Sequence, residues 1–321
     1  MPNPDPPKDR ASDVTRQDSP NCVFIAGSVT HNWDFVVNGM RITIESCRRT
    51  NPALPIYAIV DSATPEVQRA LEGCELIVID PPEEQKGLRQ DLGVGTFFRF
   101  FVHRLPPYRK ALYLDGDTVV LGDLTPLFER DGPLLARRYP KALDTEFVDP
   151  ERIMLREGVC DPAPCVNGGV ILFDMEYWGN GELEKEFLSI SEEYGWSAFK
   201  NMDQGIMDIV CWRRGIDTTL PWTFNTFAPD VENDPSHRPE VSNEGISYPR
   251  MSGEKVDILH YVGPVKPWGL YRDGYSLSGS RCFRYYEQFL PWRTRIYQHV
   301  AVYPNFVRRK LKAFLSRPKS P

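Results

Sequence analysis

Short apolar runs alternate with amphipathic stretches over the first third of the chain. Cys22-Val-Phe-Ile-Ala26, Pro55-Ile-Tyr-Ala-Ile-Val60 and Glu75-Leu-Ile-Val-Ile79 are too short for helices and are apolar almost throughout, the pattern of strands buried on both faces. Between them, 34–47 and 65–71 repeat their apolar positions at helical spacing, the second opening on Pro65 as a first helical residue. Residues 96–105 supply another helix, closed by Pro106-Pro107. Strands that alternate with helices predict an α/β fold with a mainly parallel central sheet flanked by helices.

The next apolar run, Ala111-Leu-Tyr-Leu-Asp-Gly-Asp-Thr-Val-Val-Leu121, carries two carboxylates, Asp115 and Asp117, separated by Gly116. In an extended backbone, residues two apart share a side, so the pair could meet one hard cation while Gly116 allows a tight turn. The location favours a ligand, since open α/β sheets bind at strand ends; the plainer alternative is a polar strand end.

Three further clusters follow. Asn167-Gly-Gly sits at the mouth of the apolar run Val170–Phe173, suited to an amide reaching a polar ligand or to a β-bulge. Asp203 and Gln204 open a predicted helix, where Asp203 would favour the positive end of the dipole. His260 ends a strand and is followed by Gly263 and Lys266 on a proline-stiffened loop, a set able to grip metal and phosphate. No Gly-x-Gly-x-x-Gly opens a helix after the first strand and no Walker lysine motif occurs, which disfavours nicotinamide and P-loop chemistry.

Composition narrows the class. With 321 residues, 41% of them hydrophobic, the chain can bury a large core. No run reaches the roughly 18 apolar residues of a membrane span, and residues 1–20 lack the apolar segment of a secretory signal, so a cytoplasmic address is expected. Residues 1–20 hold five prolines, alternating charges and few apolar groups, which predicts disorder. The seven cysteines show no Cys-x-x-Cys spacing and read as reduced thiols. The net charge of −6 conceals an asymmetry: residues 288–321 hold eight Lys or Arg and no acid, a tail of +8 on a body of −14. That basic, amphipathic C-terminal extension fits either an anionic membrane surface or the acidic body of the chain itself, and the acidic body argues against nucleic acid.

Leu112-Tyr-Leu-Asp-Gly-Asp-Thr-Val-Val, Asn167-Gly-Gly-Val, Asp203-Gln-Gly and His260-Tyr-Val-Gly-Pro-Val-Lys-Pro-Trp, in this order, resemble the retaining glycosyltransferase family 8 of glycogenin, galactinol synthase and the lipooligosaccharide α-galactosyltransferases. The resemblance implies a single GT-A domain, here 21–287, that moves a hexose from a UDP-sugar donor to a hydroxyl acceptor of unknown identity with Mn²⁺, or Mg²⁺ in its place. It places Asp115, Asp117 and His260 on the metal. It places Arg99, Asn167, Gly263 and Lys266, with the two aspartates, on the donor, and Asp203 and Gln204 at the reacting face. Arg99 read from pattern alone is equally a surface charge on an amphipathic helix. Two departures stand out. After the first strand the usual Asp or Asn that holds uracil or ribose is missing, and Ser28 or Asn32 could substitute for it. Arg137 and Arg138 stand where members often carry an Asp against the donor sugar, which could favour UDP-glucuronic acid over UDP-glucose or UDP-galactose, or shift the role to Asp144. The other classes weighed are a catalytically silent nucleotide-sugar binder and a sugar-phosphate nucleotidyltransferase; the latter should carry an early glycine-rich basic loop, absent from 22–33.

Overall fold

The computed structural model describes residues 20–80, 94–139, 146–159, 165–232, 240–242, 245–247, 255–263, 266–268 and 280–290. The expected N-terminal disorder, Asp144 and nearly all of the basic tail lie outside the described residues.

The apolar runs form the strands of the central sheet, but the run from Glu75 lies at its edge and is not enclosed on both faces: Leu76 and Ile77 are half-buried and Val78 is exposed. Strands β1 (Cys22–Gly27), β2 (Ile56–Val60), β3 (Glu75–Val78) and β4 (Lys110–Leu114) are parallel, in the order β3-β2-β1-β4. β5 (Thr118–Val120) leaves this sheet. β6 (Leu134–Tyr139) and β7 (Cys165–Asp174) complete it on the β4 side, with β7 antiparallel to both neighbours. Every residue of β1, β2 and β4 is buried, because helices cover both faces. Alternate side chains serve opposite layers. Phe24, Tyr57, Tyr113, Ile171 and Phe173 join one core, and Val23, Ile25, Ala58, Leu112 and Leu172 the other.

The first core is covered by Val94–Arg104, Glu182–Tyr194 and Met202–Arg214. Val94–Arg104 departs from expectation: it is a 3₁₀ helix kinked at Phe101, and Phe97, Phe98, Arg99, Phe100 and Phe101 are all buried. From Phe97 to Val102 the helix offers no solvent face, so the surface reading of Arg99 is excluded. The second core is covered by a helix running from Trp33 to Thr50. Asn32 caps it by accepting from the Phe35 N–H, and its Val36–Met40 turn is a buried π segment.

Past the turn at 115–117 the chain enters a second, three-stranded sheet, in which β5 pairs antiparallel with β11 (Ile258–His260) and β11 pairs parallel with β8 (Thr226–Phe227). A short hairpin joins β9 (Glu240–Ser242) to β10 (Gly245–Ser247). The helix Ser280–Glu287 packs Cys282, Phe283 and Tyr286 into a core shared with Ile42, and Arg49 lies over the Phe289 ring at 3.6 Å. Among the described residues no helix is long and apolar enough to cross a membrane. The described cysteines are all free, and Cys160 is not among them.

From β1 the chain winds outward through β2 and β3, then returns to the other side of β1 at β4. The winding therefore reverses between β1 and β4, whose carboxyl ends open on one crevice.

Asp208, on Met202–Arg214, anchors the first layer to the sheet. Its Oδ1 accepts the Val166 N–H at 2.8 Å. Burial raises its pKa well above the usual carboxylate range, with Glu146 adding to the rise and the Val166 bond opposing it. The folded state therefore holds this proton more tightly than the unfolded chain. Its stability falls as pH rises from the ordinary Asp range toward the folded value. Asp208→Asn keeps the acceptor and cannot ionise, so its melting temperature should exceed that of the wild type by a margin that grows with pH across that window. A margin independent of pH would show that Asp208 titrates normally.

Candidate active site

The turn at Asp115–Asp117 carries the chain from one sheet to the other. It is hydrogen-bonded as a turn: the Asp115 carbonyl accepts from Thr118 N–H at 3.1 Å and Thr118 Oγ1 at 2.9 Å, and Thr43 Oγ1 donates to the Thr118 carbonyl at 2.8 Å. The carboxylates thus converge by chain reversal and not, as the extended reading held, by lying two apart on one strand. The π segment accounts for Gly116. A Cβ there would lie 2.6 Å from Met40 Cγ, and one on Gly39 would lie 2.4 Å from the Gly116 carbonyl oxygen. The turn is clamped against the helix, as π segments at functional sites often arrange.

His260, at the end of β11, brings its imidazole to this pair. Its Nε2 is 3.3 Å from Asp117 Oδ1 and 3.8 Å from Asp115 Oδ2. Ligand atoms of the three residues lie within 4.8 Å of one another. Asp117 is 6% exposed, and its Oδ1 is a buried oxygen without a hydrogen-bond donor. Burial pushes its carboxyl up, but Lys266 and His260 outweigh that and hold it well below the ordinary range. Lys266 Nζ bonds Asp117 Oδ2 and, at 3.0 Å, the Tyr261 carbonyl. These residues fit a divalent cation. Two carboxylates are ligands of the Mg²⁺ and Mn²⁺ class, and the imidazole nitrogen moves the balance from Mg²⁺, which prefers oxygen.

Arg99 holds the other half of the site. It is 3% exposed and donates to Asp115 Oδ1 at 3.0 Å and to the Gly168 carbonyl, with Asp203 Oδ2 at 3.1 Å and the Tyr113 ring at 4.5 Å. Burial opposes its charge, but Asp115, Tyr113, Asp203 and Asp117 outweigh it and raise its pKa. Tyr113 OH also donates to Asp115 Oδ1. Asp203 lies in the first turn of its helix, as the dipole reading requires, and in addition faces Arg99; burial raises its pKa, Arg99 opposes the rise and Asp115 adds to it.

The Asn167-Gly-Gly segment is a bulge as well as a polar mouth, because the β6–β7 register jumps from Ala136↔Ile171 to Arg137↔Asn167. Both glycines make room for side chains of this protein. A Cβ on Gly168 would sit 2.4 Å from Arg99 Nη1, and one on Gly169 would sit 2.0 Å from His260 Cε1. Gln204 Oε1 accepts from Gly168 N–H at 3.1 Å and from Asn167 Nδ2 at 3.4 Å. Gly263 has φ of 91°, a left-handed conformation that turns the loop between His260 and Lys266.

Asp115, Asp117, His260, Arg99, Asn167, Asp203, Gln204, Gly263 and Lys266 therefore line one cavity of about 420 Å³. Its described lining also holds Glu146, Asn201, Phe227 and Val262, which the sequence did not single out. It carries four carboxylates against Arg99 and Lys266, an excess of two negative charges. The four other residues marked by the departures are engaged elsewhere. Arg137 donates to the Asn225 carbonyl at 2.6 Å and lies over Phe227, while Arg138 donates to the Thr218 carbonyl and Asp217. Ser28 is buried and donates to Asp61 at 2.6 Å, and Asn32 caps its helix. Asp61, which also accepts the Val29 N–H at 2.7 Å, was not foreseen. Neither was Asn225, which bridges His260 and Asn167; an isolated Asn among aromatics in Trp222-Thr-Phe-Asn-Thr-Phe227 carries no sequence signal.

A mainly parallel sheet with an aspartate pair at its switch point is the GT-A type of architecture. Residues 22–270 match the family model described as glycosyl transferase family 8, and the chain belongs to that family. Among curated relatives, it is 29% identical to glycosyltransferase GlyB of Streptococcus pneumoniae over 56% of this chain and 39% of that protein. It is 26% identical to lipopolysaccharide 1,2-glucosyltransferase of Escherichia coli over 54% of this chain and 49% of that protein. The matches thus span less than half the length of either relative. The solved galactosyltransferase LgtC, in complex with donor and acceptor sugar analogues, shares the fold with a TM-score of 0.61 at 19% identity, over 86% of this chain and 99% of that one.

Gly169→Ala tests the packing of the imidazole. The added methyl cannot coexist with His260 where it stands, so if the imidazole holds a divalent cation, affinity probed by Mn²⁺ titration without donor should fall by about tenfold or more. Unchanged affinity would show that the imidazole is not held against the bulge.

Proposed function

We propose that the protein is a Mn²⁺-dependent retaining hexosyltransferase that moves a hexose from a UDP-sugar to an acceptor hydroxyl. The observation that carries this reading is the convergence of Asp115, Asp117 and His260, beside Lys266 and Gly263, in the same cavity as Asn167, Asp203 and Gln204. A divalent ion held by the first three would neutralise negative charge on a departing diphosphate.

The chain's own groups supply the remaining steps. Lys266, moving from Asp117 to the diphosphate, would add a second cation there, and the turn at Gly263 would offer backbone to the same oxygens. Asn167 and Gln204 would hold the transferred sugar. Asp203 is paired with Arg99, which lowers its value as a nucleophile; this supports attack from the leaving-group face, with a diphosphate oxygen taking the acceptor proton. Because Arg137 and Arg138 point their charges at other partners, the case for UDP-glucuronic acid loses its support, and we favour UDP-glucose or UDP-galactose. The acceptor would enter past Glu146, Asn201 and Phe227. We further propose that the basic segment 288–321 rests the enzyme on an anionic membrane surface at the cytosolic face.

UDP release from a panel of UDP-sugars, with and without Mn²⁺, tests the activity. One hexose donor should be turned over only with Mn²⁺, and Asp117→Asn should lower that rate by about two to three decades, the scale of losing one charge-stabilising group. UDP binding without release from any donor or with any acceptor would make the protein a silent binder. For the tail, truncation after Trp292 should abolish co-sedimentation with phosphatidylserine vesicles; persistent binding would move the contact elsewhere.

A further inference from the structure

We propose that Asn225 is a positioning residue that decides which imidazole nitrogen of His260 is offered to a metal, and that it takes its own orientation from the backbone of the β7 bulge through Asn167. The inference rests on the reading of His260 as a metal ligand.

The argument is one of donors and acceptors. The Gly169 N–H, 3.1 Å from the Asn167 side chain, can only donate, so the atom it meets is the amide oxygen, Oδ1. That oxygen also lies 2.9 Å from the Asn225 amide, whose facing atom must then be the donor Nδ2. The other end of Asn225 is therefore its oxygen, and it stands 2.9 Å from His260 Nδ1. Two acceptors cannot face each other at that distance, so Nδ1 carries the proton. The lone pair of a neutral His260 is then on Nε2, the nitrogen beside Asp115 and Asp117.

The surroundings hold the Nδ1 side of the ring in this arrangement. Asn225 is fully buried, so water does not compete for its amide. The imidazole is confined between the Gly169 backbone and the edge-on Phe227 ring at 6.0 Å, which opposes a ring flip. The preceding peptide extends the same logic, since Gly168 N–H fixes Gln204 Oε1, which in turn receives Asn167 Nδ2. Two successive N–H groups of one bulge thus orient the amides of Gln204 and Asn167, and through Asn167 that of Asn225, linking His260 to Gln204. A hydrogen bond from the far ring nitrogen is what holds a metal-ligating histidine in one tautomer.

Long-range ¹H–¹⁵N spectra of the wild-type protein, with His260 assigned through His260→Gln, test the orientation without any metal. His260 should carry a proton on Nδ1; a neutral ring protonated on Nε2 alone overturns the proposal. Mn²⁺ binding, followed by the spin-resonance signal of the free ion, tests the consequence. Asn225→Ala should weaken binding by about 10–100-fold. Asn225→Asp keeps the acceptor for Nδ1 but sets a second oxygen against Asn167 Oδ1, so it should retain more Mn²⁺ affinity than Asn225→Ala. Affinity unchanged in Asn225→Ala, or lost equally in both variants, overturns the role of Asn225. If the wild type shows the Nδ1–H tautomer and binds no Mn²⁺, the metal reading fails and the hydrogen-bond relay stands.

Discussion

The rest of the site depends on a single buried cation, the guanidinium of Arg99. It ties together the 3₁₀ helix that carries it, the end of β4 through Asp115, the bulge of β7 through the Gly168 carbonyl, and the helix Met202–Arg214 through Asp203. Without it, two carboxylates and a carbonyl would face one another in a poorly solvated crevice. Breaking a buried pair of this kind commonly costs about 3–5 kcal/mol, because the remaining charge has no water to replace its partner. The four aromatic neighbours in Phe97-Phe-Arg-Phe-Phe101 explain how one charge reaches so deep: their burial on all sides of the helix carries the arginine inward with them.

The fold was legible in the sequence to the extent that burial was uniform. β1, β2 and β4 are enclosed on both faces and read directly as apolar runs, as did the parallel order that their alternation with helices implies. Local geometry was less legible. Nothing in 34–47 announces a π segment, because the extra residue is accommodated by packing of Gly39 and Met40 against Gly116. The kinked 3₁₀ character of Val94–Arg104 likewise comes from tertiary fit and not from propensity.

The site divides along the same line. Residues with chemistry of their own, such as Asp115, Asp117, His260 and Lys266, stood out because charges and imidazoles are conspicuous in apolar context. Residues that act through others did not. Asn225 and Asp61 are ordinary polar residues whose importance lies in what they touch across 58 and 32 positions of chain. The two glycines of Asn167-Gly-Gly were visible, but their reason was not: they clear space for Arg99 and His260, and only the assembled structure shows what fills it.

The turn at Asp115–Asp117 lies on a seam. Asp115 ends a strand of the large sheet, whereas Asp117 leads into the small one and His260 belongs to it. An ion gripping all three would act as a rivet between two sheets otherwise joined by side-chain packing and by the hydrogen bonds of Asn225. The small sheet, with its two- and three-residue strands, has few hydrogen bonds of its own to resist opening. Cofactor binding would then register well beyond the cavity, as slower amide exchange in β5, β8 and β11, and the mechanical integrity of one lobe edge becomes a function of metal supply.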